Sequence, residues 1–281
     1  TYSFVDPSLQ QLFDPDMAPV ALANPISADM AVMRTSLIPG LVATAVHNRN
    51  RQQSRVRLFE TGLRFLPAGD ALAQTPTLAV LICGDRLPES WSSAAASADF
   101  YDLKGDLQSL LALTGNGDAF EFSAASRPGL HPGQTARISR DGAPVGFIGK
   151  LHPTVAGELG LTVSVCVCEL DLESVRSARL PSFAELSKFP EVRRDLALVV
   201  DREVPAGELA ANVRAAAGPY LIDLRLFDVY EGKGIDPKRK SLGLGLTFRD
   251  QSRTLSDEVV NNYVDQVLDL MKKNYNAELR M

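Results

Sequence analysis

The chain has 281 residues, 45% apolar and 22% charged, which is enough for one large core or two separate ones and too apolar for a disordered tail. No run approaches the roughly 20 apolar residues that cross a bilayer, and no charged stretch followed by an apolar one opens the chain, so a soluble, cytoplasmic protein with no membrane partner is expected. Twenty-nine Lys and Arg against 34 Asp and Glu leave a net charge of −5, which excludes bulk attraction to polyanions.

That average conceals a division. Residues 188–281 hold 15 basic and 15 acidic side chains, leaving 14 against 19 before them, so the whole acidic excess precedes residue 188. Three cysteines make no disulfide framework, and Cys166 and Cys168 alternate on one face of an expected strand, as in a reducing compartment. The opening run from Thr1 to Val5 reads as mid-strand, which suggests a piece of a longer protein.

Taken in chain order, the periodicity places a helix after Ser36, its expected N-cap, with Pro39 in the first turn, Leu37, Leu41 and Ala45 at helical spacing, and an end near Arg51. Strands are expected at 55–59 and 77–83. Leu103, Leu107, Leu110 and Leu111 mark a second helix closed by Gly115. Two strands from Gln134 to Leu151 flank the turn signal Asp141-Gly142, His152-Pro153 opens a short helix, and Val163 to Leu170 is another strand. Together these predict a mostly antiparallel sheet with packed helices. From Glu173 to Ser187 periodicity fades around Pro181 and several serines, so a boundary belongs there. Beyond it lie a strand (195–201), a helix (205–217), two strands (221–230 and 241–249), a long helix capped by Ser256 and a short strand near 277–280. This α+β order, βαββαβ, is that of a ferredoxin-like sandwich.

The third strand of that sandwich, Ser241 to Arg249, is the most informative text. Alternation turns Leu242, Leu244, Leu246 and Phe248 to the helices and Ser241, Gly243, Gly245, Thr247 and Arg249 to an open face stripped bare by its glycines. The neighbouring strand brings Phe227, Asp228 and Tyr230, and the loop after it brings Lys233, Lys238, Arg239 and Lys240. An aromatic to stack on, groups for a base edge and cations for phosphates are the parts of a single-stranded RNA site. The same glycines also fit a sheet face relieved of crowding by a neighbouring domain, and a basic loop is usually just solvated. Asp228 and Tyr230 share parity with Leu224 and Leu226, so a bulge or a strand end must intervene to turn them outward. Gly243-x-Gly245 sits within a strand and not at a strand-to-helix turn, so it is no phosphate loop. Cys166, Cys168 and His152 lack the spacing of a metal set, and neither His131 nor His152 has a partner for base catalysis, so no catalytic residue and no metal site is assigned.

Ordered phrases along the chain carry a resemblance. They are Asn24-Pro-Ile-Ser27, the run Met33 to Leu41, Asn48-x-Asn-Arg51, Arg57-Leu-Phe-Glu-Thr-Gly62, Asp99 to Gly105, His131-Pro-Gly133, Gly146 to Pro153, Phe189 to Asp195, Leu226 to Gly232 and Leu246 to Leu255. In this order the chain resembles the beta subunit of bacterial phenylalanyl-tRNA synthetase over essentially all its length. The resemblance implies a class II synthetase-like core without activity over residues 1–175, a linker at 176–187 and a ferredoxin-fold anticodon-binding domain over 188–281. It further implies an alpha-subunit partner, a heterotetramer of two alpha and two beta chains, and exposed apolar surface on residues 1–170 for docking. ATP and Mg2+ would serve the complete enzyme, with no cofactor held by this chain. The nearest counterparts of the class II nucleotide-binding residues, Arg57-Leu-Phe-Glu60 and Gly146-Phe-Ile-Gly-Lys150, have altered spacing and a lysine in place of an arginine. The family's base-reading positions carry over onto Asp228, Tyr230 and Ser241, for the anticodon stem-loop of tRNA(Phe); Lys238, Arg239, Lys240 and Arg249 are added as further RNA contacts. The family's upstream tRNA-binding, editing and magnesium-binding modules are not found in the sequence. Two other readings remain open here: an amino-acid-sensing module, which the ferredoxin-like fold also hosts, and an active synthetase-like enzyme in residues 1–170.

Overall fold

The computed structural model describes residues 1–69, 71–180, 183 and 185–280. The chain divides into two compact units, Thr1–Pro181 and Ser182–Met281. In the first, β1 (Phe4–Val5) and β2 (Val32–Met33) pair, with α1 (Pro7–Gln11) between them in sequence. α2 (Ile38–Arg49) and α3 (Phe100–Ala112) lie on opposite faces of a six-stranded antiparallel sheet. Its strands are β3 (Arg55–Ala68), β4 (Ala71–Gly84), β5 (Phe120–Ala124), β6 (Leu130–Arg140), β7 (Ala143–Leu151) and β8 (Val165–Asp171), in spatial order β3-β4-β8-β7-β6-β5. Strand alternation separates two cores. Val165 and Val167 join the cluster around Leu37, Leu41 and Val42 of the α2 side, while Cys166, Cys168 and Leu170 join Leu103, Leu107 and Leu111 of α3.

Several local features differ from the sequence-based expectation, each for a physical reason. α2 begins at Ile38, one residue later than a Ser36 cap requires, yet the Ser36 hydroxyl still accepts from the Ile38 N–H (3.1 Å) as a capping oxygen does, while donating to Glu169 Oε2 (2.7 Å). The helix ends at Arg49, two residues early. The strands expected at 55–59 and 77–83 extend to form a long ribbon, paired from Arg55↔Gly84 to Ala68↔Ala71. Its distal half is largely exposed, so no core-facing hydrophobic pattern announced it. Asp141 and Gly142 do make the β6–β7 turn, with φ of +50° and +80°. The phrase beginning at Asp99 turns out to be a capping box: Asp99 accepts from the Tyr101 and Asp102 amides, and Asp102 accepts from the Asp99 amide (2.8 Å). After α4 (Pro153–Glu158) and β8, the short helix α5 (Leu172–Arg176) occupies the start of the segment expected to be irregular. Residues 181, 182 and 184 of the expected 176–187 linker fall outside the described residues.

The second unit runs β9 (Val192–Asp201), α6 (Ala206–Ala216), β10 (Leu221–Tyr230), β11 (Arg239–Phe248), α7 (Asp257–Tyr275) and β12 (Glu278–Leu279). Its strands take the order β10-β11-β9-β12, all neighbours antiparallel, as the ferredoxin-like reading requires. Leu242, Leu244, Leu246 and Phe248 are buried with Leu209 and Val213 of α6 and Val260, Val264, Val267 and Met271 of α7. Ser256 caps α7 by accepting from the Val259 N–H, with Asp257 and Glu258 in the first turn against the positive helix end. One face of the sheet is thus sealed by two helices.

All three cysteines are buried and unpaired. Burial pushes the Cys166 thiol up to about 11 and the Cys168 thiol up to about 12, and raises that of Cys83. Such thiols stay protonated and inert at neutral pH. The native chain is therefore expected to be unreactive toward a disulfide reagent such as Ellman's, and to titrate three thiols once unfolded in guanidinium; rapid labelling of the native state would contradict this packing.

Candidate nucleic-acid interface

The sheet face opposite α6 and α7 carries Asp228 and Tyr230, two of the residues singled out by the sequence, and a bulge is what brings them there. Leu224 pairs with Leu246 and Leu226 with Leu244, but the register then shifts so that Asp228 opposes Gly243 and Tyr230 opposes Ser241. Residues directly opposite one another share a face. The extra residue at Phe227 therefore rotates Asp228 and Tyr230 out of the leucine parity and onto the open face.

The glycines are not bare, contrary to the expectation. A Cβ on Gly243 would lie 2.9 Å from Phe227 Cε2, and one on Gly245 would lie 2.9 Å from Arg193 Nη2. Phe227 and Arg193 lie across β11 where only glycine lets them approach its backbone, and the Arg193 guanidinium carbon sits 5.8 Å from the Phe227 ring centroid. Arg193 is held by its own strand, its Nε donating to Asp195 Oδ1 (2.8 Å). The covering ring remains 51% exposed, so the surface offered to solvent is an aromatic ring beside a cation.

At the other end of this face, the half-buried Tyr230 folds back over Gly232, and its hydroxyl donates to the Lys233 carbonyl (3.1 Å). The Arg280 guanidinium stands 4.7 Å from its ring centroid. Asp228 is exposed, and its carboxylate has no hydrogen bond among the described residues. Ser241 is only 3% exposed beneath this group.

The expected cations divide sharply. Lys238 is exposed in the loop, where its backbone N–H donates to Asp236 Oδ1 and its carbonyl accepts from the Arg202 N–H. Lys240 pairs with Val200 and so falls on the helix-side face, away from Tyr230. Arg239 is spent internally: its guanidinium pairs with Glu278 and donates to the carbonyls of Val199 (2.8 Å) and Asn276 (2.7 Å), tying β12 into the sheet. Arg249 is paired with Glu191 (2.7 Å). Lys240, Arg239 and Arg249 are corrected accordingly, since parity or pairing withdraws each from the open face. Arg193 and Arg280, which the sequence reading passed over, stand there instead. The register of β9 against the glycine strand, Asp195 opposite Gly245 and Arg193 opposite Thr247, was the available signal for the first.

In the larger unit, Arg57 and Glu60 lie on opposite faces of β3, three residues apart. Arg57 pairs with Asp106 (2.6 Å) and donates to the Arg86 carbonyl, whereas Glu60 pairs with Arg34 (2.6 Å). They cannot clamp one nucleotide. Among the described residues no three His, Cys, Asp or Glu side chains converge as a metal set. His131 and His152 stack (6.3 Å between centroids), each accepting a backbone N–H two residues on, from Gly133 and Thr154.

A family profile described as the phenylalanyl tRNA synthetase beta chain CLM domain matches residues 1–172, and one described as the ferredoxin-fold anticodon binding domain matches residues 187–280. Curated relatives named phenylalanine–tRNA ligase beta subunit are similar throughout. That of Pseudomonas fluorescens Pf-5 is 55% identical over 280 residues, covering 100% of this chain and 35% of the relative. That of Haemophilus influenzae is 47% identical over 283 residues, covering 100% and 36%. The chain spans about a third of the length of these relatives. A solved pyrrolysyl tRNA synthetase of Desulfitobacterium hafniense aligns with TM-score 0.45 and 12% identity, over 63% of this chain and 58% of that one.

The covered glycine makes a prediction with a definite sign. On an empty sheet face Gly243→Val would stabilise the strand, because valine favours β structure. With Phe227 in contact, the substitution should instead destabilise the chain by about 1–3 kcal/mol in urea denaturation, as overpacking does. Contacts between the Phe227 ring and residue 243 should vanish from NMR spectra of the variant.

Proposed function

The chain belongs to the phenylalanyl-tRNA synthetase beta-chain family, and from that premise we propose that it is the C-terminal part of a phenylalanine–tRNA ligase beta subunit, contributing tRNA binding and subunit scaffolding without an active site of its own. The observation that carries the RNA reading is the bulge at Phe227, which turns Asp228 and Tyr230 onto the open sheet face beside Phe227, where two cations, Arg193 and Arg280, stand near the rings. Tyr230 stacks on an anticodon base of tRNA(Phe), Asp228 accepts from a base edge, and Lys238 meets a phosphate. Ser241, nearly buried, acts through its position beneath Tyr230.

Residues 1–175 then form the catalytic-like body, which docks the catalytic alpha subunit in a heterotetramer of two alpha and two beta chains. Large exposed apolar side chains support this role: Trp91 is 99% exposed and Phe59 74%, with Ile26, Tyr101 and Leu113 also open to solvent. ATP and Mg2+ would act in the alpha subunit during phenylalanylation. Arg57 and Glu60, engaged on opposite faces of one strand, do not fit a nucleotide here. The proposed setting is the cytoplasm, where buried unpaired cysteines stay reduced.

Fluorescence anisotropy with a labelled tRNA(Phe) anticodon stem-loop tests the RNA reading. Tyr230→Ala should weaken binding by about 1–3 kcal/mol, the worth of one base–aromatic stack. Lys238→Ala should lower the salt slope by about one phosphate contact while leaving base preference unchanged. Equal affinity of the wild type for a stem-loop with a scrambled anticodon, together with no effect of Tyr230→Ala, would remove this face from recognition.

A further inference from the structure

An unpaired amine lines a cavity of the larger unit, independent of the RNA-binding reading. On the α3 face of the six-stranded sheet, a cavity of about 560 Å3 opens between the start of α3 and the strands β5 and β6. That volume is in the range of small-molecule pockets. Its lining includes Asp99, Phe100, Tyr101, Lys104, Phe122 and Gln134.

Lys104 is the one cation of that lining, half-buried, with Nζ 5.0 Å from the Phe122 ring centroid. The carboxylates of α3 and its cap are spent elsewhere. Asp99 and Asp102 pair with Arg86 (2.9 and 3.0 Å), and Asp106 pairs with Arg57 (2.6 Å). From the sheet, β5 lines the cavity with Phe122 and Ala124, and β6 with Gln134, Thr135 and Ala136, none of which ionises. Tyr101 is the other titratable side chain there besides Asp99. Lys104 Nζ is nevertheless not sealed off: it is absent from the buried polar atoms that lack a partner.

An ammonium in this position has no carboxylate to hold its charge. Long helical side chains lean toward the helix N-terminus, where the positive end of α3 opposes a cation. The Phe122 ring gives only a weak attraction in return. Burial lowers the Lys104 amine from its ordinary value. A lowered amine is neutral in larger share at neutral pH, and the neutral form is the nucleophile.

The surroundings that withhold water from the amine also suit a reactant. The rings of Phe100, Tyr101 and Phe122 accept an acyl chain, and the lining holds no unpaired carboxylate to repel an anionic leaving group. We propose that Lys104 is an acylation site, modified in this cavity by small acyl phosphates. The neutral Nζ attacks the carbonyl carbon and forms the C–N bond. The C–O bond to phosphate breaks, its electron pair leaves with the phosphate, and the surplus amine proton passes to water. The product is an uncharged amide, and the lining is left without a cation.

Acetyl phosphate is the probe, with acetylation of each lysine of the full chain followed over time by peptide mass spectrometry. At about pH 7, Lys104 is expected to react at least about five-fold faster than the exposed Lys188, Lys233, Lys272 and Lys273. The excess should shrink as pH rises toward about 10.5, where an ordinary lysine is largely neutral as well. It should vanish in guanidinium, where the cavity no longer exists. A native rate no greater than that of the exposed lysines would overturn the proposal. So would an excess that stays constant with pH, which marks access and not nucleophilicity, or one that survives unfolding.

Discussion

Phe227 can approach the sheet this closely only because the strand beneath it has no Cβ at Gly243, and the same freedom at Gly245 admits the Arg193 guanidinium. The middle of the open face is built on these close approaches. The extra residue of the bulge has to go somewhere, and a bulky side chain at 243 would have pushed Phe227 outward. Because the ring settles inward, the strand resumes regular pairing at once, and Asp228↔Gly243 and Tyr230↔Ser241 follow in register. The bulge and the glycines are thus one device, converting a strand whose parity pointed to the helices into one that presents polar and aromatic groups outward.

A comparable constraint governs the larger unit. Glu169 is buried between β7 and β4, yet one of its oxygens receives the first free amide of the segment entering α2. A carboxylate at a helix N-terminus is favoured by the helix dipole and by the unsatisfied N–H groups there. The Ser36 hydroxyl adds a second donor while itself accepting from the Ile38 N–H, so the capping role is shared between Ser36 and a residue 133 positions away. Helix placement in this unit is thereby tied to the sheet by a polar contact as well as by the apolar cluster around Leu41 and Val42.

How much of this was legible in the sequence follows the range of the interactions. The β6–β7 turn, the leucine face of α3, the cap of α7 and the alternation of β11 are local signals, and they identify elements within a few residues. The need for a bulge in β10 was also legible, because the parity of Asp228 conflicts with that of Leu224. The distal ribbon of β3 and β4 was not, since an exposed hairpin carries no core-facing stripe. The fates of Arg239 and Arg249 were hidden for another reason: their partners, Glu278 and Glu191, lie 39 and 58 residues away in sequence. A run of three cations reads as a phosphate patch until strand parity and pairing divide it.

The cation over Tyr230 bears on how the proposed RNA site would work. A guanidinium on an exposed aromatic ring is worth about 0.5–1 kcal/mol, whereas a stacked base is worth about 1–3. On these magnitudes a base at the proposed site would displace Arg280 from the ring and free its guanidinium for a charge-assisted hydrogen bond to a phosphate. Arg193 beside Phe227 stands in the same relation but is held by a further contact, to Asp195. The two ends of the face are therefore unequal. Tyr230 carries the exchangeable cover and Phe227 the fixed one, which favours base entry at the Tyr230 end, beside the free carboxylate of Asp228.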